Sequence, residues 1–193
     1  MRHFVIVLAL AVFLVACVQP GSSHARGDTA ASGATAAQIA SSYSSPFAYC
    51  RAIGTMDKPG ARYTGAEPPP AVIAGLVKAF GAPANAAESP MFQHGTFWRC
   101  MDGAVYACNV GANLPCESKA NTDRAPTEGE RQFCGENHDS LIIPMYVTGH
   151  DTIYDWRCKG NVPVAGKTLS KVDKRGYIAN IWYRILPPDK TAS

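Results

Sequence analysis

Charge is sparse in this chain and neither sign dominates. Asp, Glu, Lys and Arg make up 17% of the residues, with 18 basic against 15 acidic side chains. A net charge of +3 leaves no electrostatic footprint for nucleic acid, which calls for a basic stripe and a much higher isoelectric point. No apolar run is long enough to cross a bilayer. The longest, Phe4 to Ala16, reaches ~20 Å as a helix, against a hydrocarbon core of roughly 30 Å. Metal-ligand spacing is missing too: there is no His-x-His, no HExxH and no C-x-x-C pair. Neither a Gly-rich phosphate loop nor a G-x-S-x-G nucleophile elbow occurs. No cofactor is expected from these residues.

Cysteine, by contrast, is plentiful: seven in 193 residues. An odd count in an exported protein leaves one to be explained, and the N-terminus explains it. Met1-Arg2-His3 is a short basic start, the apolar run follows, and small residues come next, the layout of a secretory signal. The run ends Leu14-Val15-Ala16-Cys17. These four residues resemble the lipobox of bacterial lipoproteins. The resemblance implies that residues 1–16 are removed, that Cys17 carries diacylglycerol on its sulfur, and that its new amino group is acylated. In that family an Asp after the cysteine often retains the protein in the inner membrane. Val18 stands there instead, which implies the outer membrane. The alternative is a soluble periplasmic or secreted chain, cut after Ala25 at Ser23-His24-Ala25.

Residues 17–45 are rich in Ser, Ala, Gly and Thr without apolar periodicity, so they bury too little surface to offset their ordering entropy and read as a flexible tether. Arg26-Gly27-Asp28 spells an adhesion tripeptide, but a three-residue match in such a segment is a chance event. Residues 46–193 then form a single domain. Six cysteines in an oxidising compartment read as three bridges among Cys50, Cys100, Cys108, Cys116, Cys134 and Cys158.

The domain reads as α+β: mainly antiparallel hairpins and a meander, one main helix and a short one. Phe47–Ile53 alternates like a first strand. Pro68-Pro69-Pro70 opens a helix over about 69–80, with Val72, Ile73, Leu76, Val77 and Phe80 on one face. Asp102-Gly103 between Thr96–Met101 and Ala104–Asn109 is a two-residue hairpin turn. That register sets Cys100 opposite Val105 and puts Cys108 too far away, and on the other face, to pair with it. Thr127-Glu-Gly-Glu130 matches a capping box for a helix over about 128–135. Cys134 on that helix is the first local partner to consider for Cys116, although six cysteines allow 15 connectivities. Leu141–Val147, Thr152–Cys158 and Val162–Val164 continue the meander. Leu169–Val172 and Tyr177–Ile185 close it across Asp173-Lys-Arg-Gly176.

Strand alternation places Trp98 on the face of Cys100 and Trp156 on the face of Cys158, hence in the core, and turns Arg99 and Arg157 to solvent. In the last strand it turns Trp182 and Arg184 outward together, as a candidate binding surface for a glycan or protein. His94, His138 and His150 are scattered. Asp139 and Asp151 adjoin two of them, the residue chemistry of a solvated turn. A carboxylate pair such as Glu128 with Glu130 has no distinguishing context.

Three functions are consistent with these features. The first is a non-catalytic cell-envelope lipoprotein, held to a membrane through Cys17, that binds or supports another envelope component. A variant is inhibition of a lysozyme-type hydrolase. Tyr154-Asp-Trp-Arg-Cys-Lys-Gly160 and Gly60-Ala-Arg-Tyr63 resemble fragments of small lipoprotein lysozyme inhibitors, in a different order and spacing. The third is an envelope hydrolase with His138 or His150 as acid/base.

Overall fold

The computed structural model describes residues 41–188. The signal segment, Cys17 and the cut after Ala25 lie outside those residues. Tyr43 forms a bridge with Tyr63, so pairing with the domain begins slightly ahead of Pro46.

The first ordered element corrects the expected strand at Phe47–Ile53. It is a helix, α1 (Pro46–Ile53), with Pro46 in its first turn and the Ser45 hydroxyl accepting from the Ala48 N–H at 3.4 Å. Ser-Pro supplies a cap and a preset φ, and both favour helix entry. Phe47 and Cys50, three apart, share the buried face with Tyr49. Helix α2 (Pro70–Ala79) forms where expected and buries Val72, Ile73, Leu76 and Val77. At Gly75 a Cβ would collide with Ile185. This glycine weakens α2 locally, but it lets the helix lie close on the sheet. A short helix α3 (Pro90–Gly95) leads into β1 (Thr96–Met101), which pairs antiparallel with β2 (Ala104–Asn109). Asp102 and Gly103 take positive φ, 50° and 78°, and Cys100 faces Val105.

Helix α4 (Glu128–Glu136) carries the full capping box, Thr127 with Glu130. The expected strand at Leu141–Val147 does not form. Pro144 instead caps a helical turn, α5 (Met145–Thr148), and Ser140–Ile143 runs beside β3 (Tyr154–Lys159). There the Ile143 N–H donates to the Trp156 carbonyl at 2.7 Å and the Cys158 N–H to the Ser140 carbonyl at 2.8 Å. Strand β3 pairs with β4 (Val162–Thr168) in a separate two-stranded sheet.

The last expected hairpin is also corrected. Its turn is present, with Gly176 at φ 85°, but only Val172 and Ile178 bridge. A helical turn at Ala179–Ile181 interrupts the second arm, and its strand is shortened to β5 (Tyr183–Ile185), which pairs with β2. Sheet pairing to β2 outcompetes the local hairpin, and the helical turn resets the alternation.

Three disulfides join Cys50 to Cys100, Cys108 to Cys116 and Cys134 to Cys158. Cys100 and Cys108 do not pair with each other, in line with the register, but the expected Cys116–Cys134 bridge is overturned. Each disulfide sits in its own buried cluster with one tryptophan. Trp98 lies in the cluster of α1, α2 and β1 that holds Cys50 and Cys100. Trp182 packs with Cys108 and Cys116, and Trp156 with Cys134 and Cys158. An indole buries a large apolar area and so fills the space beside a rigid sulfur bridge. The domain is thus α+β with three small stapled cores. Among the described residues no helix is long and apolar enough to cross a membrane.

Candidate functional site

Several of these elements converge on one cleft of about 470 Å³. The loop after α1 contributes Asp57, Lys58 and Pro59; the loop before α2 contributes Glu67 and Pro68. His94 on α3 and Thr96, Phe97 and Trp98 on β1 line another side, and Cys116, Glu117, Tyr177 and Trp182 complete it. Glu67 is joined to Pro68 by a cis peptide.

The polar groups of the cleft are held from different parts of the chain. The Trp98 indole N–H donates to the Glu67 carboxylate at 2.7 Å. Partial desolvation against the cleft wall pushes the carboxyl of Glu67, an otherwise exposed residue, above its ordinary range, and the indole bond only partly opposes this. Burial, then the neighbouring Glu67 charge, raises the Tyr63 phenol. Hydrogen bonds from Arg175 hold Asp57 down at about 2, with Lys119 adding to the effect against a smaller desolvation cost. The Arg175 guanidinium donates to Asp57 at 2.9 and 3.1 Å, and Lys119 Nζ donates to Asp57 at 2.8 Å. At the rim Lys58 pairs with Glu117 at 3.2 Å.

Behind Tyr177 and Trp182 lies a buried cation, and here the sequence reading is corrected. Arg99 was expected in solvent. It is 1% exposed, with its guanidinium 4.3 Å from the Tyr177 ring centre and 4.2 Å from that of Trp182. Its Nη2 is ion-paired with Asp173. Burial pushes the Asp173 carboxyl up, but bonds from Arg99 and from the Tyr177 and Arg175 N–H groups more than offset it, leaving it below the usual range. Arg99 Nε and Nη1 and the Trp182 indole N–H have no hydrogen-bond partner among the described residues. Trp182 is therefore not the outward aromatic expected beside Arg184. It is 8% exposed, whereas Arg184 is exposed and lines a different groove with Leu186 and Pro187. Alternation fails because Ala179–Ile181 is a helical turn and Trp182 directly follows it, so no continuous strand reaches Trp182.

Arg157 is exposed, as alternation implies, and Trp98 and Trp156 are buried. Neither His138 nor His150 lines the cleft. His138 is exposed; His150 is half-buried, with its Nδ1 lacking a partner among the described residues. The Asp139 carboxylate accepts from the Gly160 N–H at 2.7 Å and so belongs to the β3–β4 turn. Glu130 accepts from the Thr127 N–H at 2.6 Å and Glu128 from Arg131 at 3.1 Å, so both carboxylates serve the start of α4. In the Gly60–Tyr63 fragment, Arg62 Nε donates to the Ser41 carbonyl at 3.0 Å and the guanidinium carbon lies 5.4 Å from the Tyr43 ring centre. Among the described residues no group of three His, Cys, Asp or Glu side chains is placed to hold a metal ion.

The cleft brings together Asp57, Glu67, His94 and Tyr177, none of which was singled out as a site from sequence. Glu67 stands directly before three prolines, a context that marks a helix start and not a site. The others come from separate loops and from α3, with no pattern of their own. Fold and cleft together define a disulfide-stapled α+β domain with an aromatic, mixed-charge recess. Comparison with protein-family models, curated proteins and solved structures finds no match to this chain.

Proposed function

We propose that this chain is a non-catalytic cell-envelope lipoprotein, tethered through lipid on Cys17, whose cleft binds an envelope glycan. The observation that carries the ligand class is the cleft lining. Ring edges of Phe97, Trp98, Tyr177 and Trp182 lie in its walls, and Glu67 offers a carboxylate to sugar hydroxyls. Binding pockets combine mostly apolar walls with a few placed polar groups. A sugar ring has matching C–H faces and hydroxyl edges. Three disulfides suit an oxidising compartment. The Leu14–Cys17 signal supports export, anchoring and, with Val18 following, residence in the outer membrane.

Tryptophan fluorescence and calorimetric titration with soluble wall glycan fragments test the binding. Saturable binding that Glu67→Gln weakens roughly tenfold supports it, since a hydrogen bond to a charged group contributes about 1.5–3 kcal/mol. No heat and no spectral change at millimolar fragment remove it. Intact-mass measurement of the native N-terminus tests the anchor, which predicts a lipidated Cys17.

A second reading, an envelope hydrolase, gains one observation. Glu67, with its raised carboxyl, and His94 share the cleft, whereas His138 and His150 lie outside it. A carboxyl tuned upward is suited to general acid catalysis. Release of soluble fragments from wall material, lost in Glu67→Gln, distinguishes this reading from binding alone.

A further inference from the structure

Outside the cleft, the largest unexplained feature is apolar. Leu141, Ile142, Met145 and Tyr146 are 91%, 66%, 52% and 81% exposed within six consecutive residues. Single exposed hydrophobics need no explanation, but a contiguous patch marks an interaction surface. This patch is built to stay out. Between its two halves Ile143 is 3% exposed and packs with Trp156 and the Cys134–Cys158 bridge. Backbone bonds tie Ser140 and Ile143 to β3, and the Ser140 hydroxyl donates to the Ile142 carbonyl at 2.8 Å. Pro144 caps the turn that presents Met145 and Tyr146. The disulfide and the β3 ladder therefore hold four large apolar side chains against water.

We infer that the Leu141–Tyr146 segment docks into the surface of the lipid bilayer, as a second contact beside the lipid on Cys17. The inference rests on the anchored-lipoprotein reading for its choice of partner. Cys17 precedes Ser41 by 24 residues, and a coil of that length would span ~27 Å root-mean-square. The bilayer is then the apolar phase that the domain meets at the highest effective concentration. The side chains suit it: Leu, Ile and Met partition into acyl chains, and Tyr favours the interface. Arg157 and Lys159 are exposed on β3, the strand to which Ser140 and Ile143 are bonded, and match lipid phosphates. Two acids adjoin the patch. Asp139 is tied to the Gly160 N–H and Glu136 accepts from Gln132 at 3.1 Å. One chain anchors a protein marginally and an added contact tightens it, so the loop also sets which face of the domain lies on the membrane.

The test uses the whole exported chain with Cys17→Ser, sedimented with protein-free vesicles of phosphatidylethanolamine and phosphatidylglycerol. The expected result is weak binding at millimolar lipid that falls roughly tenfold in L141D/I142D and in M145D/Y146D, because a charge inserts poorly where Leu or Met inserts well. Unfolding midpoints should change little, since all four side chains are more exposed than buried. No vesicle binding by the Cys17→Ser chain overturns the inference. So does binding that salt abolishes and the loop variants leave intact. Retention on whole envelopes that is lost after protease treatment, without vesicle binding, overturns it in favour of a protein partner. An unlipidated native Cys17 would sink the anchor reading alone, since the Cys17→Ser vesicle assay reads the loop without it.

Discussion

Removing the Asp173 carboxylate should destabilise the domain more than any other single charge change. In Asp173→Ala the Arg99 guanidinium, 1% exposed, keeps its aromatic stacking but loses its one ion pair among the described residues. Two of its N–H-bearing nitrogens already lack partners among the described residues. Breaking a buried pair from one side costs about 3–5 kcal/mol, because the remaining charge is uncompensated. The N–H groups of Arg175 and Tyr177, which donate to Asp173 at 2.8 and 3.1 Å, lose their acceptor as well. Retained stacking offsets part of this, so the expected loss is about 3–4 kcal/mol, a large share of a typical 5–15 kcal/mol. Non-reducing urea unfolding at neutral pH measures it. Arg99→Met with Asp173→Asn should cost less than the sum of the single changes, with coupling of at least about 1 kcal/mol. The pH dependence has a definite sign. The folded pKa of Asp173 is depressed, so its contribution is present above the ordinary aspartate range and lost as pH falls through the folded value. Asp173→Ala should lack that acid limb. A loss below about 1 kcal/mol, with the acid limb unchanged, would refute the reasoning.

Asp57→Asn should remove a smaller stabilisation, about 1 kcal/mol after allowance for solvent screening at this half-exposed network. With a folded pKa of about 2, that contribution is complete above pH ~4 and disappears between about 4 and 2; melting temperature against pH, wild type minus variant, reads it. The disulfides should rank by loop length. Separations of 50, 24 and 8 residues predict losses of ~4, ~3.5 and ~2.5 kcal/mol when each pair is changed to alanine, measured by denaturation of the three double variants. Gly75→Val should cost about 1–3 kcal/mol through its clash with Ile185, lowering the unfolding midpoint without changing the disulfide pattern seen by peptide mapping. Alkylation of the denatured, unreduced protein should label none of the six domain cysteines; labelling of several would dismantle the stapled cores.

Much of the fold was legible locally. Asp102-Gly103 specifies a tight turn by needing positive φ, and the resulting register correctly separates Cys100 from Cys108. Thr127 and Glu130 mark the start of α4 because a capping box closes within four residues. The face of α2 follows from the 3.6 period for Val72, Ile73, Leu76 and Val77, whereas Phe80, just past the helix end, is 40% exposed. Misreadings arose where two local signals competed. Ser45-Pro46 starts a helix, whereas the alternation after it resembles a strand. Pro144 begins a helical turn in a segment whose composition suits a β ladder.

Alternation alone misplaced Arg99 and Trp182. It predicts which way a side chain leaves its strand, not whether a distant loop covers that face. Asp173 and Tyr177 cover Arg99 from more than 70 positions away, and the turn at Ala179–Ile181 redirects Trp182. The cleft is of the same kind. Asp57, Glu67, His94 and Tyr177 lie far apart along the chain, and none has a spacing that announces it.

The amino-acid order by itself determined the turns, the caps, the α+β class and the number of cysteines available for staples, because these depend on backbone preferences and contacts a few residues apart. Tertiary structure alone decided which cysteines meet, which arginine is buried and which side chains share the cleft. Those outcomes depend on how separate elements pack, and the free energy of closing long loops over one another is not written in any short stretch of the chain.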